Sequence, residues 1–99
     1  MYARHVTVHG SPEHVDEAVA SVRSQVIPVL KDCAGFKGQL LLIDRAKGEA
    51  IGISLWDSEA NMMASEEKVA AARQQTADQV GAESAPEVTL YELPICEIV

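Results

Sequence analysis

Aromatic residues are scarce: only Phe36, Trp56, Tyr2 and Tyr91 are present, 4% of the sequence. A core must therefore come from Val, Leu, Ile and Ala, and each ring is a candidate for a special role. Cysteine is scarce too. Cys33 and Cys96 have no Cys or His neighbour at metal-ligand spacing, which excludes a zinc site or a redox Cys-x-x-Cys motif and leaves two buried, reduced thiols as the expectation. Basic residues number 8 against 15 acidic ones and stand singly, giving a formal charge of −7. No surface for nucleic acid or an anionic membrane follows from that balance. No apolar run approaches the length of a membrane span, and the first residues lack a basic stretch followed by an apolar one. One cytoplasmic domain over residues 1–99, without a metal or other cofactor, is the expectation.

What is present is a pair of apolar runs, Leu40-Leu41-Leu42-Ile43 and Ile51 to Trp56, separated by Asp44-Arg45-Ala46-Lys47-Gly48. These are two strands of a hairpin with Gly48 in a left-handed position. Both runs are apolar on both faces: Leu40 and Leu42 oppose Leu41 and Ile43, and Ile51, Ile53 and Leu55 oppose Gly52, Ser54 and Trp56. A hairpin with one wet face would alternate, so this one is expected to be covered on both sides.

Before the hairpin, Tyr2 to His9 reads as a strand with Val6 and Val8 on one face and His5, Thr7 and His9 on the other. Ser11 is a candidate cap, Pro12 fits a first helical position, and Val15, Ala18, Val19, Val22, Val26, Val29 and Leu30 follow at helical spacing. Pro28 removes a hydrogen bond to the Ser24 carbonyl, which predicts a kink or a loosened last turn. After the hairpin, Ser58 caps a second helix reaching about Gln79, whose inward face is Met62, Ser65, Val69, Ala72, Thr76 and Val80. Small side chains on that face leave either a void or a gap plugged by Met62 and Met63. Glu87 to Leu93 is a last strand, which Pro94 either confines to a sheet edge or makes bulge, and Ile95 to Val99 continue as an apolar tail.

The order strand, helix, strand, strand, helix, strand gives an α+β, ferredoxin-like βαββαβ antiparallel sheet with two helices on one face. The other face then needs a partner, and a second copy is the simplest one: a homodimer through the sheet face, with the tail free to cross over.

The opening Tyr2-Ala3-Arg4, Gly10-Ser11-Pro12, the strand start Gly35-Phe36 and the run Ser54-Leu55-Trp56-Asp57-Ser58-Glu59-Ala60 resemble the antibiotic biosynthesis monooxygenase (ABM) superfamily of dimeric α/β barrels. The resemblance covers nearly the whole chain. It implies a pocket between sheet and helices lined by Trp56 and by the helix face that starts at Asn61 and Met62 and includes Ser65. It also implies either cofactor-independent oxygenation of an aromatic or polyketide-like substrate, or a non-catalytic ligand-binding or stress-related dimer. Many members carry a His nine positions after the strand tryptophan, where this chain has Ser65. The haem-degrading branch needs an Asn, a Trp and a His where Ala3, Ser65 and Gln75 stand, so haem degradation is not implied.

Such an oxygenase needs a base or a hydrogen-bond donor and a dry cavity. His5 is the candidate base, and it equally fits a hydrogen-bonded structural histidine. Trp56 could stack on an aromatic ligand or fill the core; Tyr91 could donate to a substrate oxygen or sit at a subunit boundary. Asn61 fits a ligand contact or the helix start. Arg4 could pair with a carboxylate across a dimer.

Overall fold

A computed structural model describes residues 1–99. Strand β1 (Tyr2–His9) leads through a 3₁₀ turn (Pro12–His14) into α1 (Val15–Ser21), a π-helical turn (Val22–Val26) and α2 (Ile27–Lys31). The hairpin β2 (Phe36–Asp44) and β3 (Glu49–Trp56), the long helix α3 (Glu59–Gln79) and β4 (Glu87–Glu92) complete the chain. The sheet order is β2-β3-β1-β4 with every pair antiparallel, the ferredoxin-like arrangement expected from the order of elements. No helix is long and apolar enough to cross a membrane.

Local chemistry explains most boundaries. Ser58 Oγ accepts from the Asn61 N–H and starts α3, satisfying one of the otherwise unpaired amides of its first turn. Gly48 ends the hairpin turn at φ +69, where a Cβ would lie 2.5 Å from the Ser11 carbonyl carbon, so the hairpin tip can rest on the Gly10–Pro12 corner. Ser11 makes no side-chain cap: its carbonyl accepts from His14, and Pro12 alone sets the entry angle. The disturbance from Pro28 falls one turn earlier than expected. Without an N–H to offer Ser24, the helix widens into the π-helical turn Val22–Val26 and then resumes as α2.

Strand parity decides what faces what. On the helix side β1 presents Tyr2, Arg4, Val6 and Val8, paired across to Trp56, Ser54, Gly52 and Ala50 of β3. A bulge between Phe36 and Gly38 makes Lys37 an extra residue in β2. Phe36 and Gln39, three apart in sequence, therefore both face the helices, opposite Trp56 and Ser54. The helices enclose two apolar clusters: Val26, Leu30, Trp56, Met62, Val69 and Ala72 at one end, and Val8, Ala18, Ala77 and Val80 at the other. Ser21 Oγ and Thr76 Oγ1, 2.7 Å apart, join α1 to α3.

No helix covers the opposite face. Leu40 and Leu42 remain 48% and 49% exposed there, with Ile51 and Ile53 partly so. At the edge, β4 is exposed along its length, and after Leu93 donates to the Met1 carbonyl the apolar Ile95, Ile98 and Val99 lie in solvent. Cys33 is half-buried with its thiol on the Val29 carbonyl, but Cys96 is exposed, because the tail that carries it packs on nothing.

Candidate functional site

Between the two apolar clusters lies a cavity of about 70 Å³, open at one side. Its cause is a lack of bulk. The floor is the helix side of β3, where Ala50, Gly52 and Ser54 follow one another, and α3 adds Thr76 rather than a large side chain. A water needs about 10–15 Å³ on the same measure, so the space equals roughly five to seven waters, enough for one ring. Val6, Val22, Val26, Leu41 and Val69 make the walls apolar.

The polar groups in this space are few. Arg4, Ser54 and Gln39 form one rung across three strands, since Ser54 is the register partner of both others. Ser54 Oγ is occupied by the Trp56 indole N–H at 2.9 Å. Arg4 is 1% exposed. Its Nη2 donates to the Met62 carbonyl (2.5 Å) and to Ser65 Oγ (2.9 Å), its guanidinium lies 5.4 Å from the Trp56 ring centre, and its Nε sits 3.1 Å from Glu66 Oε2. Nη1, buried like the rest, meets no hydrogen-bond partner, and neither does the buried Oε1 of Gln39. An unpaired buried polar atom costs about 1–3 kcal/mol, and these two, with almost no accessible surface, carry that cost within the packing beside the cavity.

Charge sharpens this. Arg73 grips Glu66 through two hydrogen bonds of 2.7 and 3.0 Å, so two guanidinium groups share a single carboxylate. The hydrogen bond from Arg73 holds the Glu66 carboxyl below its usual range against the opposing pull of partial burial, and the charges of Arg73 and Arg4 add to it. Burial lowers Arg4 from its ordinary value, Glu66 raises it back, and Arg73 lowers it again. A carboxylate across a dimer is thus not needed for Arg4, whose partner is Glu66 of its own chain.

The residues singled out by sequence fall into three places. Met62 and Ser65 meet Arg4 behind the cavity wall: Ser65 Oγ accepts from Arg4 and donates to the Met62 carbonyl at 2.7 Å, so this serine ties the guanidinium to α3. Trp56 is fully buried in the apolar cluster against Phe36, at 5.6 Å between ring centres, rather than on the cavity surface. Asn61 belongs to the start of α3, its amide donating to Asp57 Oδ1 at 2.9 Å and holding that carboxyl low. His5 and Tyr91 stand together on the open sheet face, ring centres 6.2 Å apart, because odd positions of β1 point away from the helices. The cavity lining includes no His, Asp, Glu, Tyr or Cys. Nor do any three His, Cys, Asp or Glu side chains converge closely enough to hold a metal. Arg4 and Gln39 were the residues missed; the parity of Val6 and Val8 already placed Arg4 on the inner face.

No protein-family model matches the chain. Two uncharacterized proteins of Mycobacterium tuberculosis are related in sequence: Rv2557 is 37% identical over 87 residues, covering 88% of this chain and 39% of that protein. Rv2558 is 40% identical over 77 residues, covering 78% of this chain and 33% of that protein. The chain therefore spans less than half the length of these curated relatives. Among solved structures, a monooxygenase of Streptomyces coelicolor in complex with nanaomycin D superposes with a TM-score of 0.79 at 16% identity, covering 99% of this chain and 90% of that one. An antibiotic biosynthesis monooxygenase superposes with a TM-score of 0.66 at 15% identity, covering 94% and 98%. At such identities the likeness is one of architecture, and the chain has the fold of the antibiotic biosynthesis monooxygenase proteins.

Proposed function

We propose that residues 1–99 form one ABM-like domain that binds a small aromatic or other apolar molecule in the cavity beside α3 and pairs with a second copy through its open sheet face. The observation that carries the reading is an apolar space of about 70 Å³ between sheet and helices, lined mostly by Val, Leu, Ala and Gly. A packed structural module would have filled that space. Pairing is supported by Leu40 and Leu42, which a monomer leaves half in water. A cytoplasmic setting belongs to the same reading, since both cysteines are free.

The finer form is cofactor-independent oxygenation of an aromatic, polyketide-like substrate, in line with the Streptomyces coelicolor monooxygenase of like fold. Against it stands a second reading, binding without turnover, favoured by a cavity lining that offers no group able to take a proton near neutral pH. Native mass spectrometry of freshly purified protein tests the common part, with a dimer and a retained small molecule expected. A bare monomer at micromolar concentration overturns both pairing and binding. Oxygen uptake with a panel of phenols and anthrones separates turnover from binding alone.

A further inference from the structure

Two arginines, Arg4 and Arg73, belong to the cavity wall, and by residue type alone they would suit an anion. The placement of their nitrogens argues for the opposite guest. Both terminal nitrogens of Arg73 are spent on Glu66, which is no part of the wall. Arg4 Nη2 is held by Met62 and Ser65, which are no part of it either; its Nε faces Glu66, and its Nη1 has almost no accessible surface. The neutral polar side chains are engaged as well. Ser54 Oγ takes the Trp56 indole N–H, Thr76 Oγ1 is shared with Ser21 Oγ, and Gln39 Oε1 is closed off like Arg4 Nη1. Gln39 keeps an uncharged amide nitrogen near Gly52, where an added Cβ would come within 3.1 Å of it. An ionised ligand would therefore give up its water with no charged group turned to receive it, and an unreceived charge in a water-poor site is costly.

Size is bounded by the same walls. Space for five to seven waters corresponds to roughly 150–210 Å³ of liquid water, on the order of the engineered apolar cavity that stays dry and binds benzene. Main chain sets the floor at Ala50, Gly52 and Ser54. Lengthwise the space lies between the cluster of Leu30, Trp56 and Met62 and that of Val8, Ala18 and Val80, all buried, and the Ser21–Thr76 hydrogen bond ties the helices together. One ring fills such a room; three fused rings outgrow it.

Resting on the small-molecule reading above, we propose that the ligand is an uncharged, hydrocarbon-like molecule of a single ring, selected by volume and not by polar recognition. Val69, buried on α3 and part of the wall, is then a residue that limits the size admitted.

Titration of the intact ¹⁵N-labelled protein at neutral pH with toluene, benzoate and anthrone tests this, the amides of Ala50, Gly52 and Val69 reporting on the site. Toluene is expected to shift these amides and to bind at least tenfold tighter than benzoate, while anthrone leaves them unmoved. Val69→Ala should raise the affinity for naphthalene relative to toluene at least fivefold; an unchanged ratio in the folded variant removes the role given to Val69. If Val69→Ala does not fold, the wild-type series decides by itself. Benzoate within tenfold of toluene, or anthrone bound at the same amides, overturns the proposal and leaves the cavity reading intact. Failure of every ring compound to move these amides removes the cavity reading and the proposal together.

Discussion

The two faces of one sheet are built from alternate residues of the same strands, yet they solve opposite problems. The helix face is covered and still has room in it; the open face is apolar and has no cover. On the first, Ala50, Gly52 and Ser54 withhold side-chain volume where two helices pass over, so covering leaves a space. On the second, Leu40, Leu42, Ile51 and Ile53 supply volume where the chain has no third layer to meet it. Small residues under a roof make a binding site, and large residues without one make an interface.

The largest expected effect breaks the open face. Paired substitutions Leu40→Asp and Leu42→Asp bring like charges together around a two-fold axis, and sedimentation should change from dimer to monomer at micromolar concentration, with dissociation at least 100-fold easier. Ligand binding should weaken far less than that if each cavity belongs to one subunit. A monomeric wild type would remove the basis of the contrast.

Next in size is the cavity floor. Gly52→Val places methyl groups in the open space and asks only the flexible end of Gln39 to move. Stability should stay within about 1 kcal/mol, while calorimetric binding of ring compounds should fall below detection. Retained binding would put the ligand elsewhere.

A smaller change concerns the charges. Arg4→Met removes two hydrogen bonds to α3 and should cost about 1–3 kcal/mol in denaturant unfolding, discounted because Glu66 keeps Arg73 and is partly in water. The Glu66 carboxyl is depressed in the folded chain, so its contribution is fully present above its ordinary value of 4.5 and disappears as pH falls through the lower folded value. Glu66→Gln should therefore flatten the acid limb of stability below about pH 4.5, and an unchanged limb would show that the pairing adds nothing.

The smallest effect is expected at His5. His5→Ala lies on the far face from the cavity, beside Tyr91, and should alter ring binding less than twofold while perturbing self-association. A large loss of binding would mean that the two faces communicate.

Most of the architecture was legible because it depends on periodicity and end signals. Val6 and Val8 set the facing of β1, Ser58 marked the start of α3, and the buried stripe Met62, Ser65, Val69, Ala72, Thr76 and Val80 followed from helical spacing. The site was less legible, for two physical reasons. The bulge at Lys37 is a register event with no distinctive residue behind it, and it brings Phe36 and Gln39 to one face. The fate of Trp56 depended on the Ser54 hydroxyl, which takes its indole N–H and lets the ring sink into the apolar cluster instead of standing free in the cavity. The surroundings of Arg4 were not legible for a different reason: only the fold brings Glu66 and Arg73, more than 60 positions away, to it.

The run Ala50, Gly52, Ser54 has one last implication. None of the three has a side-chain carbon beyond Cβ to swing, so the floor of the compartment is set by main chain and cannot be lowered by rotamer exchange. A deeper guest gains no room on that side, and retuning the depth would take a single codon at position 52.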